Sequence, residues 1–304
     1  MTSAATTLAK RIRNREFILA PGVFDMISAK VADRAGFKAL YMTGSGVVAS
    51  YLGVPDAGIA TYTDMVARAA QIVSGTTTPL IADADTGYGG IVNVRHTVRG
   101  YERAGVAAIQ IEDQAFPKKC GHATGQRLVP LDEMITRIRV ALDSRDSSDF
   151  QIIARTDACK VAGFDEAMRR AEAFAKAGAD VLFVEAPGDV GQMERLGRAF
   201  DTPLLVNMVE GGSTPVLPQA ELERMGFRIA IFPASGFLAT VAALEKVYGA
   251  LKTTGASADA GVPLQRFDEF LKLMGFPDVV ALEARYEVQG VHSLGGYSKE
   301  RGSR

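Results

Sequence analysis

The sequence predicts a (β/α)8 barrel followed by extra C-terminal helices. Short apolar runs recur eight times along the chain, and each is followed by a polar or glycine-rich turn and then a stretch with helical periodicity. Most runs lack polar/apolar alternation, the mark of strands covered on both faces in a parallel sheet. Eight such units in about 250 residues match the usual size of one barrel domain. An open, doubly wound sheet is the alternative that the same alternation allows.

The predicted strands are residues 17–24, 39–43, 80–85, 107–113, 152–157, 181–186, 204–209 and 229–234. Among the predicted helices the clearest is 165–176. Ala167, Met168, Ala171, Phe174 and Ala175 fall on one side, and Arg169, Arg170, Glu172 and Lys176 on the other. Gly178 supplies a left-handed stop, as Gly36 and Gly105 do before other strands. About 70 residues follow the eighth strand. Residues 236–251 form the last barrel helix, 253–260 a small-residue linker, and 264–274 and 277–286 two further helices. Residues 1–252 are thus expected to form the barrel domain and 253–304 a helical extension with a loose tail.

Of the 304 residues, 47% are hydrophobic and 23% charged, as in a globular protein with a sizeable core. A net charge of −1 gives no global field for holding nucleic acid or an anionic membrane. The two cysteines, Cys120 and Cys159, are too few for a disulfide scaffold. Residues 1–10 lack the apolar run of a signal peptide, and no stretch is long enough to span a bilayer. The expected setting is the cytoplasm or an organelle matrix.

A barrel places its chemistry at the C-terminal ends of its strands. There the sequence sets Gly44-Ser45-Gly46, Asp83 and Asp85, Glu112-Asp113, Arg155-Thr156-Asp157, Glu185, and Asn207 with Glu210. Buried ionised carboxylates are costly without a cation or donors. Arg155 alone cannot neutralise four or five of them, whereas a divalent cation would. Oxygen ligands without a Cys/His cluster suit Mg2+ or Mn2+ better than Zn2+. Taken singly, each Asp is as well explained by helix capping or a surface ion pair; the set across neighbouring strands favours the metal. Asp83 and Asp85, two apart on a strand, would share a face. Thr86-Gly87-Tyr88-Gly89-Gly90 would let the backbone approach a ligand, although it lacks the dinucleotide pattern. Gly44-Ser45-Gly46 reads either as a plain turn or as a carboxylate or phosphate cradle.

Lys118-Lys119-Cys120-Gly121-His122 lies on the long loop after the fourth strand, where lids and binding loops occur. Flanking lysines favour the thiolate of Cys120, and His122 can exchange a proton with it. The pair suits general acid chemistry. An incidental surface cysteine is the plainer alternative. Cys159 reads as a packing residue, and His96 and His292 as structural or solvated; nothing suggests a hydrolase triad.

Together, Tyr41-Met42-Thr43-Gly44-Ser45-Gly46, Ala82-Asp83-Ala84-Asp85-Thr86-Gly87-Tyr88-Gly89, Ile111-Glu112-Asp113-Gln114, Lys118-Lys119-Cys120-Gly121-His122, Ala154-Arg155-Thr156-Asp157 and Leu205-Val206-Asn207-Met208 resemble the isocitrate lyase / phosphoenolpyruvate mutase superfamily, in its order and over most of residues 17–250. The resemblance implies a Mg2+-dependent barrel acting on 2-oxo or 2-hydroxy carboxylates. It also implies a homotetramer, a dimer of dimers that exchange a C-terminal helix. By analogy Asp85 binds the metal directly, and Asp56, Asp83 and Glu112 hold its waters. Ser45, Gly46 and Val47 hold the carboxylate beside the reacting carbon. Arg155 holds the oxygen where charge develops, Tyr41 helps move the first proton, and Cys120 is the proton donor. Lys118, Gly121, His122, Glu185, Asn207 and Pro233 complete the expected site.

Within this superfamily the Cys-Gly-His loop resembles that of the carbon–carbon lyases rather than the phosphonate mutases. Members that cleave tricarboxylates look to carry an arginine shortly after the eighth strand, where this chain has Leu238. By the same resemblance, members that hydrolyse oxaloacetate use a serine where this chain has Pro233. The resemblance therefore implies a dicarboxylate such as 2,3-dimethylmalate. A 2-methylisocitrate lyase, a carboxyphosphonoenolpyruvate or phosphonopyruvate mutase, an oxaloacetate decarboxylase and a non-catalytic ligand-binding barrel are the alternatives.

Overall fold

The computed structural model describes residues 3–121 and 123–286. Eight parallel strands close into a barrel in chain order: β1 (Ile18–Val23), β2 (Leu40–Met42), β3 (Leu80–Asp83), β4 (Ala108–Glu112), β5 (Gln151–Thr156), β6 (Val181–Val184), β7 (Leu204–Asn207) and β8 (Ile229–Phe232). Ile18 to Pro21 pair with Ile229 to Phe232 and shut the ring. The closed ring excludes the open doubly wound sheet. The helices are α1 (Ala4–Arg13), α2 (Met26–Arg34), α3 (Gly44–Leu52), α4 (Tyr62–Gly75), α5 (Ile91–Arg103), α6 (Leu131–Ser144), α7 (Ala158–Ala162), α8 (Phe164–Lys176), α9 (Val190–Ala199), α10 (Gln219–Met225), α11 (Ser235–Thr254), α12 (Phe267–Leu273) and α13 (Phe276–Tyr286).

Side chains on a strand alternate between faces, so each strand contributes to two cores. Outward residues such as Leu40, Ala82, Ile109 and Ile152 pack beneath the helices. Inward residues, among them Ile18, Ile81, Ile153, Phe183, Leu205 and Ile231, fill the lumen. Leu8 and Ile12 of α1 join this inner cluster, so α1 plugs the end where the strands begin. This helix is not evident in the sequence: its polar majority hides one apolar face. Its first turn is capped by the Ser3 side chain, which accepts from the Thr6 amide. Leu8 is fully buried. Leu8→Ala should therefore cost about 2–5 kcal/mol, read as a lower urea midpoint with an unchanged slope.

All eight strands stop one or two residues before the predicted ends. The backbone turns left-handed at Asp85 (φ 48°) and at Ala186 (φ 58°), which ends pairing there. Gly44-Ser45-Gly46 is the first turn of α3, capped by Thr43, rather than a loop. The glycine-rich 86–90 segment turns the chain into α5: the Gly87 amide donates to Ala84 O and the Thr97 hydroxyl to Gly87 O.

Two compact units divide the chain, one ending at Ala260 and a second beginning at Gly261. The barrel and α11 lie in the first, and α12 and α13 in the second. α11 buries none of its residues and exposes Leu238, Val241, Leu244, Tyr248 and Leu251. Among the described residues no helix is long and apolar enough to cross a membrane.

Candidate active site

At the C-terminal end of the barrel lies a cavity of about 300 Å³. Asp83, Arg155, Glu185, Asn207 and Pro233 line it, each two residues beyond an apolar lumen residue. Within β3, β5 and β7, strand parity thus turns the lumen from apolar to polar at Asp83, Arg155 and Asn207. Tyr41, Ser45, Asp56, Glu112, Lys118, Cys120 and Gly121 complete the expected lining. Gly46 and Val47 are not part of it: the Val47 amide donates to Thr43 O at 3.0 Å within the helix, and the Gly46 amide faces the Thr43 hydroxyl at 3.4 Å. Asp85 lies behind the lining, against Lys118. His122 lies outside the described residues, as does His292.

The loop after β4 is folded over the cavity. Its base is zipped by Val129 N to Asp113 O and by Ala115 N to Arg127 O. Gln114 clamps Lys119 through both backbone groups, at 2.9 and 3.0 Å. The Cys120 amide donates to Asp56 O at 3.0 Å, and Gln126 donates to the carbonyls of Cys120, Gly121 and Ala123. Gly121 allows the close approach, since a Cβ there would meet Arg155 Nη2 at 2.2 Å. The ammonium groups of the two lysines have partners of their own beside the thiol. Lys118 Nζ lies between Asp56 Oδ1 (2.6 Å) and Asp85 Oδ1 (2.5 Å), and Lys119 Nζ donates to Thr124 O.

Asp83 and Asp85 also come together by an unexpected route. β3 ends at Asp83, so shared strand parity does not apply; the left-handed turn at Asp85 brings its amide onto Asp83 Oδ1 at 3.0 Å and its carboxylate onto Lys118. Burial pushes Asp85 up to about 7 despite Lys118, and raises Asp83 and Glu112 as well. Burial would lower the Lys118 ammonium, but Asp85, Glu112, Asp83 and Asp56 outweigh it and hold it well above its ordinary value.

Across the site six carboxylates (Asp56, Asp83, Asp85, Glu112, Asp157 and Glu185) face two buried cations, Lys118 and Arg155. Glu112 Oε1 is buried with no hydrogen-bond partner among the described residues. This excess of negative oxygen fits a hard divalent cation. The described residues hold no cluster of three or more His, Cys, Asp or Glu side chains arranged to ligate a metal directly. Mg2+ does not need one, because it keeps several waters and takes one or two carboxylates. A pH dependence follows. Carboxyl groups with raised folded pKa stabilise below their unfolded value near 3.8, and that stability is lost as pH rises toward about 7. Without metal, the melting temperature should fall across this window. Added Mg2+ should raise it more at pH 8 than at pH 5.5, as thermal scans with Mg2+ or EDTA would show.

Arg155 bridges the other half. Nε and Nη2 grip Asp157 at 3.1 and 2.8 Å, and the same nitrogens lie 3.5 Å from Glu112 and 3.2 Å from Glu185. Nη1 makes no hydrogen bond among the described residues. Asn207 Nδ2 donates to both oxygens of Glu185, at 3.3 and 3.0 Å. Asp113 has a structural part: it accepts from Thr156 Oγ1, the Asp157 amide and Arg170. Burial pushes the Cys159 thiol up to about 12, which keeps it inert.

Sequence reasoning passed over Gln110, Phe237 and the pairing of Glu210 with Ser235. Tyr41 Oη donates to Gln110 Oε1 at 2.7 Å, and Gln110 Nε2 donates to Asp83 Oδ1 at 3.2 Å. The available signal was a lone amide in an apolar strand, two residues before Glu112. The outer wall is formed by Val209, Ala234, Phe237 and Leu238, with Glu210 beside them. Ser235 Oγ donates to Glu210 Oε1 at 2.5 Å.

Comparison with known proteins matches residues 8–252 to the phosphoenolpyruvate phosphomutase family profile. The chain is 45% identical to 2,3-dimethylmalate lyase of Eubacterium barkeri, over 93% of this chain and 98% of that protein. It is 38% identical to 2-methylisocitrate lyase of Aeropyrum pernix, over 97% and 94%. Among solved structures, oxaloacetate acetylhydrolase with 3,3-difluorooxalacetate gives a TM-score of 0.89 at 39% identity, covering 93% of this chain and 97% of that one. A trigonal crystal form of 2,3-dimethylmalate lyase gives 0.88 at 42%, covering 97% and 100%. Phosphonopyruvate hydrolase with oxalate and Mg2+ gives 0.85 at 30%, covering 93% and 99%.

Proposed function

The chain belongs to the phosphoenolpyruvate phosphomutase family, and on that premise we propose that it is a Mg2+-dependent carbon–carbon lyase cleaving a substituted malate such as 2,3-dimethylmalate to pyruvate and propionate. One observation carries the reading: Cys120 stands over a cavity whose inner half is a carboxylate-rich polar cluster and whose outer wall is apolar.

Asp85 would hold Mg2+ directly, and Asp56, Asp83 and Glu112 through its waters. The ion would supply Lewis-acid charge and a template for the substrate. Ser45, at the N-terminus of α3, offers a hydroxyl beside a helix end that favours anions, and so receives the carboxylate next to the reacting carbon. Tyr41 faces the 2-hydroxyl. Burial, then Asp83, holds its phenol well above the usual range, so Tyr41 orients the hydroxyl and does not remove its proton. That proton passes to the surrounding carboxylates. The bond to the neighbouring carbon breaks, and its electrons move into the distal carboxylate as an aci-carboxylate. Nη1 of Arg155 meets oxygen where negative charge grows. The Cys120 thiol protonates the released carbon to give the saturated acid, and the thiolate regains a proton.

The distal wall supports a dicarboxylate. Val209, Phe237 and Leu238 give a third carboxylate no cation, and Glu210 repels it. Pro233 has neither hydroxyl nor amide hydrogen with which to hold a hydrated carbonyl, which disfavours oxaloacetate hydrolysis. Purified protein with Mg2+ should release pyruvate from 2,3-dimethylmalate and much less product from 2-methylisocitrate, oxaloacetate or phosphonopyruvate. Absence of pyruvate at high enzyme concentration rejects the reading. The apolar stripe on α11 supports assembly into a homotetramer, which light scattering would measure.

A further inference from the structure

Gln110 stands behind the cavity wall, fully buried, while Tyr41 and Asp83 in front of it line the cavity. Its carboxamide joins the two: Oε1 accepts from Tyr41 Oη and Nε2 donates to Asp83 Oδ1. The direction of this chain is fixed from the backbone. Asp83 Oδ1 also takes the Asp85 amide at 3.0 Å. A main-chain N–H can only donate, so Oδ1 accepts there, and it accepts from the Gln110 NH2 group as well. The amide carbonyl then faces Tyr41 and can only accept. The phenol proton is therefore turned toward Gln110, away from the cavity. A phenol oxygen has one proton and two lone pairs. Only lone pairs remain for a ligand.

We infer that Gln110 is a specificity-determining positioning residue: by fixing the Tyr41 hydroxyl as an acceptor toward the cavity, it makes the site prefer a 2-hydroxy acid over the corresponding 2-oxo acid. A ligand hydroxyl donates to Tyr41 Oη. A ligand carbonyl at the same place sets lone pair against lone pair. The site therefore grips the alcohol and loosens its hold once a ketone has formed. This rests on the 2-hydroxy acid site proposed above, and extends it to a residue that touches neither substrate nor metal.

Lactate and pyruvate differ only in this group, and their binding needs no turnover. Calorimetry with Mg2+ should give wild-type protein a clear lactate preference. Gln110→Met keeps the side-chain length and removes both polar ends, so the phenol can rotate and donate. The lactate-to-pyruvate affinity ratio should fall roughly tenfold. In a Tyr41→Phe background, Gln110→Met should not move the ratio further; a purely structural effect would weaken both ligands alike. An unchanged ratio in Gln110→Met, or the same shift without the phenol, overturns the proposal. Should Gln110→Met fail to fold, Tyr41→Phe decides alone: loss of lactate binding supports the acceptor orientation, and a larger loss of pyruvate binding overturns it. Wild-type protein that binds neither acid overturns the 2-hydroxy acid reading itself, and the proposal with it.

Discussion

Cys120→Ser should lower turnover by roughly 10²–10⁴-fold while leaving pyruvate binding nearly unchanged. The substitution preserves size and the loop's backbone bonds, which run through the Cys120 amide and carbonyl. What it removes is an acid of suitable strength, since a serine hydroxyl is a far weaker proton donor than a thiol. The expected pattern is a fall in kcat with little change in KM, because the lost interaction belongs to the protonation step. Steady-state kinetics and calorimetry on the same preparation check both halves. An unchanged kcat would remove Cys120 from the proposed chemistry.

Arg155→Met should be the most damaging single change to stability. Its guanidinium holds Asp157, Glu112 and Glu185 inside a buried site. Removing it leaves those carboxylates without their cation at a cost of about 3–5 kcal/mol, or a fall in melting temperature on the order of 10 °C. The loss should shrink at low pH, where Glu112 takes up a proton, because burial raises its carboxyl well above the ordinary range. Scanning calorimetry at pH 5.5 and pH 8 tests this sign. Arg155→Lys should recover only part of the stability, because an ammonium lacks the fork that grips Asp157 through two nitrogens.

Much of the fold was legible because lumen and sheet–helix cores together make each strand apolar on both faces. The strand-end carboxylates were legible for the complementary reason: a polar residue closing an apolar run needs a function or a partner. What stayed hidden depended on tertiary placement. α1 shows only one apolar side, and only the open barrel end explains it. Asp85 reaches its neighbours through a left-handed turn that no strand periodicity encodes. Lys118 was legible only as a charge beside Cys120; that its long side chain carries the ammonium to Asp56 and Asp85 depends on the fold. Gln110 carries no charge and matches no motif; its meaning comes from standing between Tyr41 and Asp83.

The central claim is that the protein cleaves a 2-hydroxy dicarboxylate with Mg2+ and returns a proton to the released carbon from Cys120. Proton NMR of 2,3-dimethylmalate turnover in D2O tests it most directly. The expected result is equal amounts of pyruvate and of propionate bearing one deuterium beside its carboxylate, abolished by EDTA, restored by Mg2+ and nearly absent with Cys120→Ser. Unaltered 2,3-dimethylmalate, or the same rate in EDTA, would contradict it.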